Sequence, residues 1–218
     1  MKKFLLLAVL AFAGYKFYQN GFGSSASQGA FDNTGTPLVV LFVGPGCQEY
    51  CEKVRTVLQD HKVTFEEINV VGSDGAPSRN KYGISNFPTT LIGNREVRGD
   101  DTLQITAALA ETYGKEVLSR KENRVMDQHF DADGRAEIVM YATTWCPYCK
   151  KQREYFSAHN VSYREIDVEA SEENKMQYTT LEGSGYPLTY VGYRRFSGYH
   201  EGELVAALDE LTKAGPRH

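Results

Sequence analysis

The chain has 218 residues, 41% hydrophobic and 24% charged, which is ordinary for globular protein and enough for one large domain or two small ones. Its formal net charge of −4 has the wrong sign for a nucleic-acid-binding surface, so no nucleic-acid partner is expected. The four cysteines all fall in the pairs Cys47/Cys51 and Cys146/Cys149, which excludes a disulfide-dense secreted scaffold with cysteines spread along its length.

At the N-terminus, Lys2 and Lys3 precede an apolar run over residues 4–13, the pattern of a secretory signal core, and Ala11-Phe12-Ala13 has the small-x-small form of a cleavage site. Continued through Lys16 to Tyr18, the segment reads instead as a short membrane anchor, with Lys16 snorkelling and Tyr15 and Tyr18 at the interface. Residues 1–18 are therefore expected to be a signal peptide or an N-terminal membrane anchor, attached through residues 4–18. The rest would be exported, periplasmic or held outside the cytoplasm. Residues 19–36 are rich in Gly and Ser and read as a flexible tether.

Residues 37–114 form a first unit. "LVVLFV" (38–43) is a β-rich apolar run suited to a central buried strand. The cysteine pair of "GPGCQEYCEK" (44–53) opens a helix, and "TFEEINV" (64–70) alternates as a second strand. "SRNKYGI" (78–84) reads as a helical turn, "TTLIG" (89–93) and "EVRG" (96–99) as a hairpin, and residues 100–113 as a last helix. The charged stretch 115–135 reads as a linker into which that helix could run. Residues 136–213 then repeat the first unit. Cys146, Pro187 and Gly198 each lie 99 positions after Cys47, Pro88 and Gly99, while Cys149 lies 98 after Cys51. The change of one reflects the extra residue between Cys47 and Cys51. "HNVSYREIDV" (159–168) matches "HKVTFEEINV" (61–70) in the same frame. The fold class expected is α/β, two tandem β-α-β-α-β-β-α units made by duplication.

Cys146-Pro147-Tyr148-Cys149 stands at a strand-to-helix junction. There the first thiol faces unpaired backbone N–H groups and the positive end of the helix dipole, both of which favour thiolate. Cys146 would attack a substrate disulfide and Cys149 would resolve the mixed disulfide. Zinc would need a second cysteine pair or histidines brought close, and a purely structural disulfide over so short a loop stabilises little. Trp145 reads as a groove-lining residue, and Tyr148 is placed to touch substrate.

"TTWCPYC" resembles the active site of the glutaredoxin family, within the thioredoxin-fold superfamily, and the resemblance extends over residues 136–213. It implies thioredoxin-like, glutaredoxin-type domains with no bound cofactor, glutathione as co-substrate, and disulfide-containing proteins as partners. It also implies a cis-proline beside the cysteines at Pro187, preceded by Tyr186, and a glutathione-receiving segment at Gly198 and Tyr199. The chain departs from the family at three places: Tyr186 replaces the usual valine, Tyr199-His200-Glu201 follows Gly198 where acidic residues are usual, and Thr144 replaces the usual lysine.

In the first unit, Phe87 and Pro88 match Tyr186 and Pro187 as substrate-binding positions, and Asp100 and Asp101 keep the acidic pair. Cys47 and Cys51 are candidate redox residues. Their spacing places them on one face of a regular helix with Cα atoms near 6 Å. Glu49 opposes thiolate formation. Three readings stay open: a second redox centre, a degenerate substrate-binding unit, or a copper-handling site, since two thiolates suit Cu(I). The aligned His61 and His159 read as structural. Outside the glutathione reading, the chain could exchange disulfides directly with a thioredoxin-like partner.

Overall fold

The computed structural model describes residues 29–71 and 75–214, with side chains up to residue 209. The segment expected to be a signal or anchor, 1–18, and the tether residues 19–28 lie outside it. Among the described residues no helix is long and apolar enough to cross a membrane.

Two four-stranded sheets with the same topology lie in sequence. The first contains β1 (Val39–Val43), β2 (Glu66–Asn69), β3 (Thr89–Ile92) and β4 (Arg95–Arg98) in the order β2-β1-β3-β4. Its helices are α1 (Gln48–Asp60), α2 (Gly75–Tyr82) and α3 (Thr102–Tyr113). Every residue of β1 is buried, as its continuous apolar run requires of a central strand. β1 runs parallel to β2, which needs a crossover, and α1 supplies it. β3 and β4 are antiparallel neighbours joined by a tight turn at Gly93 and Asn94. α1 buries Cys51, Val54 and Leu58, three and four apart, against Leu41, Ile92, Ile105 and Leu109.

The second sheet repeats this pattern with β5 (Ile138–Ala142), β6 (Arg164–Asp167), β7 (Leu188–Val191) and β8 (Arg194–Ser197), ordered β6-β5-β7-β8. α5 (Pro147–Ala158), α6 (Glu172–Thr180) and α7 (Glu201–Ala214) take the helix positions, with α4 (Arg120–Met126) lying between the two units. Proline at the first position of α5 has no N–H that the helix would otherwise have to satisfy. Ser171 caps α6 by accepting the Asn174 N–H at 3.1 Å.

Two stretches differ from expectation. Residues 29–36 of the expected tether are folded. Ala30 is fully buried and exchanges backbone bonds with Gly93 and Leu38, while the Asp32 carboxylate organises a turn by accepting N–H bonds from Thr34 and Thr36. Residues 115–135 are not an open linker. Gly114 ends α3, a 3-10 turn follows at Lys115–Val117, and Ser119 starts α4 with a reciprocal capping box to Glu122. Val125 and Met126 then enter the second core.

The ends of these stretches are themselves part of the repeat. Phe31 bridges Pro37 as Phe130 bridges Ala136, and Asp131 repeats the Asp32 turn. The duplicated unit therefore begins near residues 30 and 129. The two units touch where α3 lies against β8, with Gln104 Nε2 donating to the Arg195 carbonyl at 3.3 Å, while α4 between them lies against α6.

Candidate active site

β5 ends at Ala142, and the chain turns through Thr143, Thr144 and Trp145 into α5. This sets Cys146 at the N-cap, where its Sγ accepts the Cys149 backbone N–H at 3.0 Å. That donor is one of the orphan N–H groups of a helix start, aimed at sulfur. Cys146 and Cys149 form a disulfide with Cα atoms 5.2 Å apart. Cys146 is 3% exposed and Cys149 0%, so an incoming thiolate meets the sulfur of Cys146 first.

Exposed aromatic side chains frame that approach. Trp145 is 64% exposed and Tyr148 56%. The Trp145 indole N–H donates to Glu169 at 3.0 Å, and its ring meets Tyr186 edge-on at 5.9 Å. Tyr186 stacks on Tyr178 at 4.9 Å, and the Tyr178 hydroxyl donates to the Gly185 carbonyl at 2.9 Å. The residue before the cysteines is thereby tied to the residue before Pro187. Burial, helped by the Glu169 charge, pushes the Tyr186 phenol above its ordinary value. A groove of about 330 Å³ continues from Tyr186 along Glu169, Ser171, Glu172 and Lys175.

The Tyr186–Pro187 peptide is cis. The Pro187 carbonyl accepts the Gly198 N–H at 2.8 Å, joining the proline to the turn that opens α7. Gly198 takes φ +82°, a left-handed conformation open to glycine and strained for other residues. Next in sequence, Tyr199 donates to Glu201 at 3.2 Å and lies 6.4 Å from the Tyr155 ring. The buried Pro187 is thus tied to Gly198, with Tyr186 and Tyr199 next to them in sequence. Beneath it, fully buried Gln152 donates to Thr189 at 2.7 Å, and Arg153 holds both the Thr143 carbonyl and the Glu165 carboxylate.

The first unit keeps this frame with different contents. Cys47 and Cys51 form a disulfide with Cα atoms 5.3 Å apart, closer than a regular helix face sets them, because Cys47 stands at the N-cap outside the helical turn. Its side chain accepts no cap bond, and the Cys51 N–H goes to the Cys47 carbonyl. Gly46, at φ +80°, stands where Trp145 does, with open space where a side chain would project. The cis Phe87–Pro88 peptide repeats the proline position, and the Phe87 ring packs onto Gly44. Asp101 caps α3 by accepting N–H bonds from Leu103 and Gln104, and Asp100 pairs with Lys53 at 2.9 Å.

The two aligned histidines have structural partners. His61 bonds the Val117 carbonyl and Thr106, and His159 stacks on Tyr155. Among the described residues no group of three His, Cys, Asp or Glu is placed to hold a metal ion. Sequence reasoning missed Glu169, Tyr178 and His129. His129 is fully buried, bonds the Tyr141 hydroxyl at 2.9 Å, and is driven by burial to a pKa of about 3. Nothing local marks these residues, because each acquires its partner through the fold.

The glutaredoxin family model matches residues 39–97 and 138–195. A glutaredoxin from Pseudomonas aeruginosa is 28% identical over 81 residues, covering 35% of this chain and 96% of that protein. An uncharacterized glutaredoxin-like 8.6 kDa protein from the rubredoxin operon of Clostridium pasteurianum is 26% identical over 74 residues, covering 34% of this chain and 99% of its own. Among solved structures, a glutaredoxin from Archaeoglobus fulgidus is 30% identical with a TM-score of 0.31, covering 34% of this chain and 88% of that one.

Proposed function

Because this chain belongs to the glutaredoxin family, whose model matches both units over more than half its length, we propose that it is a glutathione-dependent reductase of protein and glutathione mixed disulfides, acting through Cys146 and Cys149. The observation that carries this reading is the Cys149 N–H aimed at the Cys146 sulfur at a helix start. Reduced Cys146, held as thiolate by that donor and the helix dipole, attacks the substrate disulfide. One substrate sulfur leaves as thiolate and takes a proton from water. The mixed disulfide on Cys146 is then opened in one of two ways. Cys149 attacks the Cys146 sulfur, expels the held thiolate and restores the internal disulfide, or, where the held group is glutathionyl, a glutathione thiolate attacks that group's sulfur, departs as glutathione disulfide and returns Cys146 as thiolate. Two glutathione thiolates in succession return the internal disulfide to the dithiol, yielding one glutathione disulfide.

The wall formed by Trp145, Tyr148 and Tyr186 gives the substrate chain an apolar face beside the reacting sulfur. Gly198 and Tyr199 provide the opposite side, for the glutathione moiety. The basic start and apolar run of residues 1–18 support export, with the domains periplasmic or membrane-anchored outside the cytoplasm. A fusion of residues 1–36 to a reporter that folds only in an oxidising compartment tests that placement. An inactive reporter refutes it.

The catalytic reading is tested by glutathione-dependent reduction of a glutathionylated peptide. Activity is expected to vanish in Cys146→Ser and persist in Cys149→Ser. A second reading, exchange with a thioredoxin-like protein without glutathione, is favoured by Tyr186 and by Tyr199 and His200 where family members carry other residues. Turnover with a protein dithiol donor and none with glutathione would select it.

A further inference from the structure

The duplication supplies its own comparison, because two disulfides occupy one frame with opposite surroundings. In the second unit Cys146 Sγ accepts the Cys149 N–H, and Lys150 and Lys151 follow. Lys151 lies over the Tyr148 ring, 5.4 Å from its centre, and Lys150 reaches Glu154 only at 3.9 Å. Glu169, held by Trp145, is the opposing charge. In the first unit Cys47 Sγ accepts no such bond. Glu49 lies in the first turn of α1, and Glu52 follows Cys51 where Lys150 follows Cys149. The cation matching Lys151 is Lys53, and it is neutralised by Asp100. Asp101 adds a further negative charge where the second unit has His200.

A couple whose thiolate is stabilised holds its electrons in a more stable reduced form and has the higher reduction potential. A couple whose thiolate meets carboxylates and lacks the donor is harder to reduce. Cys47 is otherwise as accessible as Cys146, at 4% exposure, and no indole stands in front of it.

We propose that Cys47–Cys51 is a second redox-active disulfide, more reducing than Cys146–Cys149, so that a fully reduced chain gives up electrons from the first domain at potentials where the second still holds its own. The exchange is with a dithiol. One thiolate attacks a sulfur of the Cys47–Cys51 bond, its second thiolate closes the donor's own disulfide, and two thiols remain on the protein. This ordering does not depend on glutathione being the physiological reductant.

The experiment is a redox titration of the full chain in buffers of graded reduced-to-oxidised dithiothreitol ratio. Samples are acid-quenched and alkylated, and each cysteine pair is read separately by peptide mass. Half-reduction of Cys47/Cys51 is expected to need at least a tenfold higher ratio than Cys146/Cys149, a gap of at least about 30 mV. The double variant Glu49→Gln, Glu52→Gln should bring the Cys47/Cys51 midpoint several-fold closer and leave Cys146/Cys149 in place. A smaller gap or a reversed order overturns the proposal. So does a Cys47–Cys51 bond that no ratio opens while the protein stays folded. Midpoints in the expected order but unmoved by the double variant overturn the electrostatic cause. Because no glutathione is present, failure here is separate from failure of the glutathione reading.

Discussion

Lowering the pH from 7.5 to 5 should destabilise the second domain through one buried side chain. His129 is fully enclosed, with the Tyr141 hydroxyl on Nε2 and the Tyr190 ring 4.7 Å from its own. Burial, followed by the nearby Arg164 guanidinium, holds its pKa down at about 3. In the unfolded chain the imidazole returns to its ordinary value of about 6.5. Between those values the unfolded state binds a proton that the folded state does not, so stability rises with pH through this range and is lost as pH falls below about 6.5. With these two pKa values the loss is about 2 kcal/mol at pH 5 relative to pH 7.5. Carboxylates held low by hydrogen bonds, such as Asp131, lose their contribution only as pH falls through their lowered folded values, below this window. The assay is urea unfolding of the oxidised protein followed by the fluorescence of Trp145, the single tryptophan, which lies in the second domain. His129→Leu should be less stable at both pH values yet lack the extra 2 kcal/mol of pH dependence. Equal pH dependence in the two proteins would refute the assignment.

Three further outcomes are expected. Asp101→Ala removes the acceptor for the Leu103 and Gln104 N–H groups and should cost about 1 kcal/mol of first-domain stability by denaturant unfolding, with Asp101→Asn recovering most of it. An alanine variant as stable as the parent would contradict the cap. Gln152→Leu leaves the buried Thr189 hydroxyl without its 2.7 Å partner and should cost about 1–3 kcal/mol in the second domain, read through Trp145. Glu169→Gln removes a negative charge beside the residue preceding Cys146. In a Cys149→Ser background it should lower the Cys146 pKa, measured by ultraviolet thiolate absorbance; an unchanged pKa would show that the charge is screened from the sulfur.

The duplication was legible because its landmarks are local. Cysteine pairs, prolines and glycines hold their spacing, and the β-rich apolar runs at 38–43 and 137–142 hold the central strands Val39–Val43 and Ile138–Ala142. The boundaries were harder. Residues 29–36 have the composition of a tether, and their order comes from one Asp32 turn and from Gly93, far away in sequence. The pairing of Phe31, Asp32 and Gly35 with Phe130, Asp131 and Gly134 carries the same shift of 99 and would have revealed them. In 115–135, Ser119 and Glu122 spell a capping box, but the surrounding charge hides how little apolar surface α4 needs to dock. The cysteines of the candidate site announce themselves by spacing. The wall beside them does not, since Trp145, Glu169, Tyr178 and Tyr186 come from separate elements.

The central claim is that Cys146 is the sulfur through which glutathione and substrate exchange. The direct test is to incubate reduced full-length Cys149→Ser with glutathione disulfide and locate the adduct by peptide mass. One glutathione on Cys146, released again by reduced glutathione, is expected. An unmodified Cys146, or an adduct that glutathione cannot remove, would contradict it.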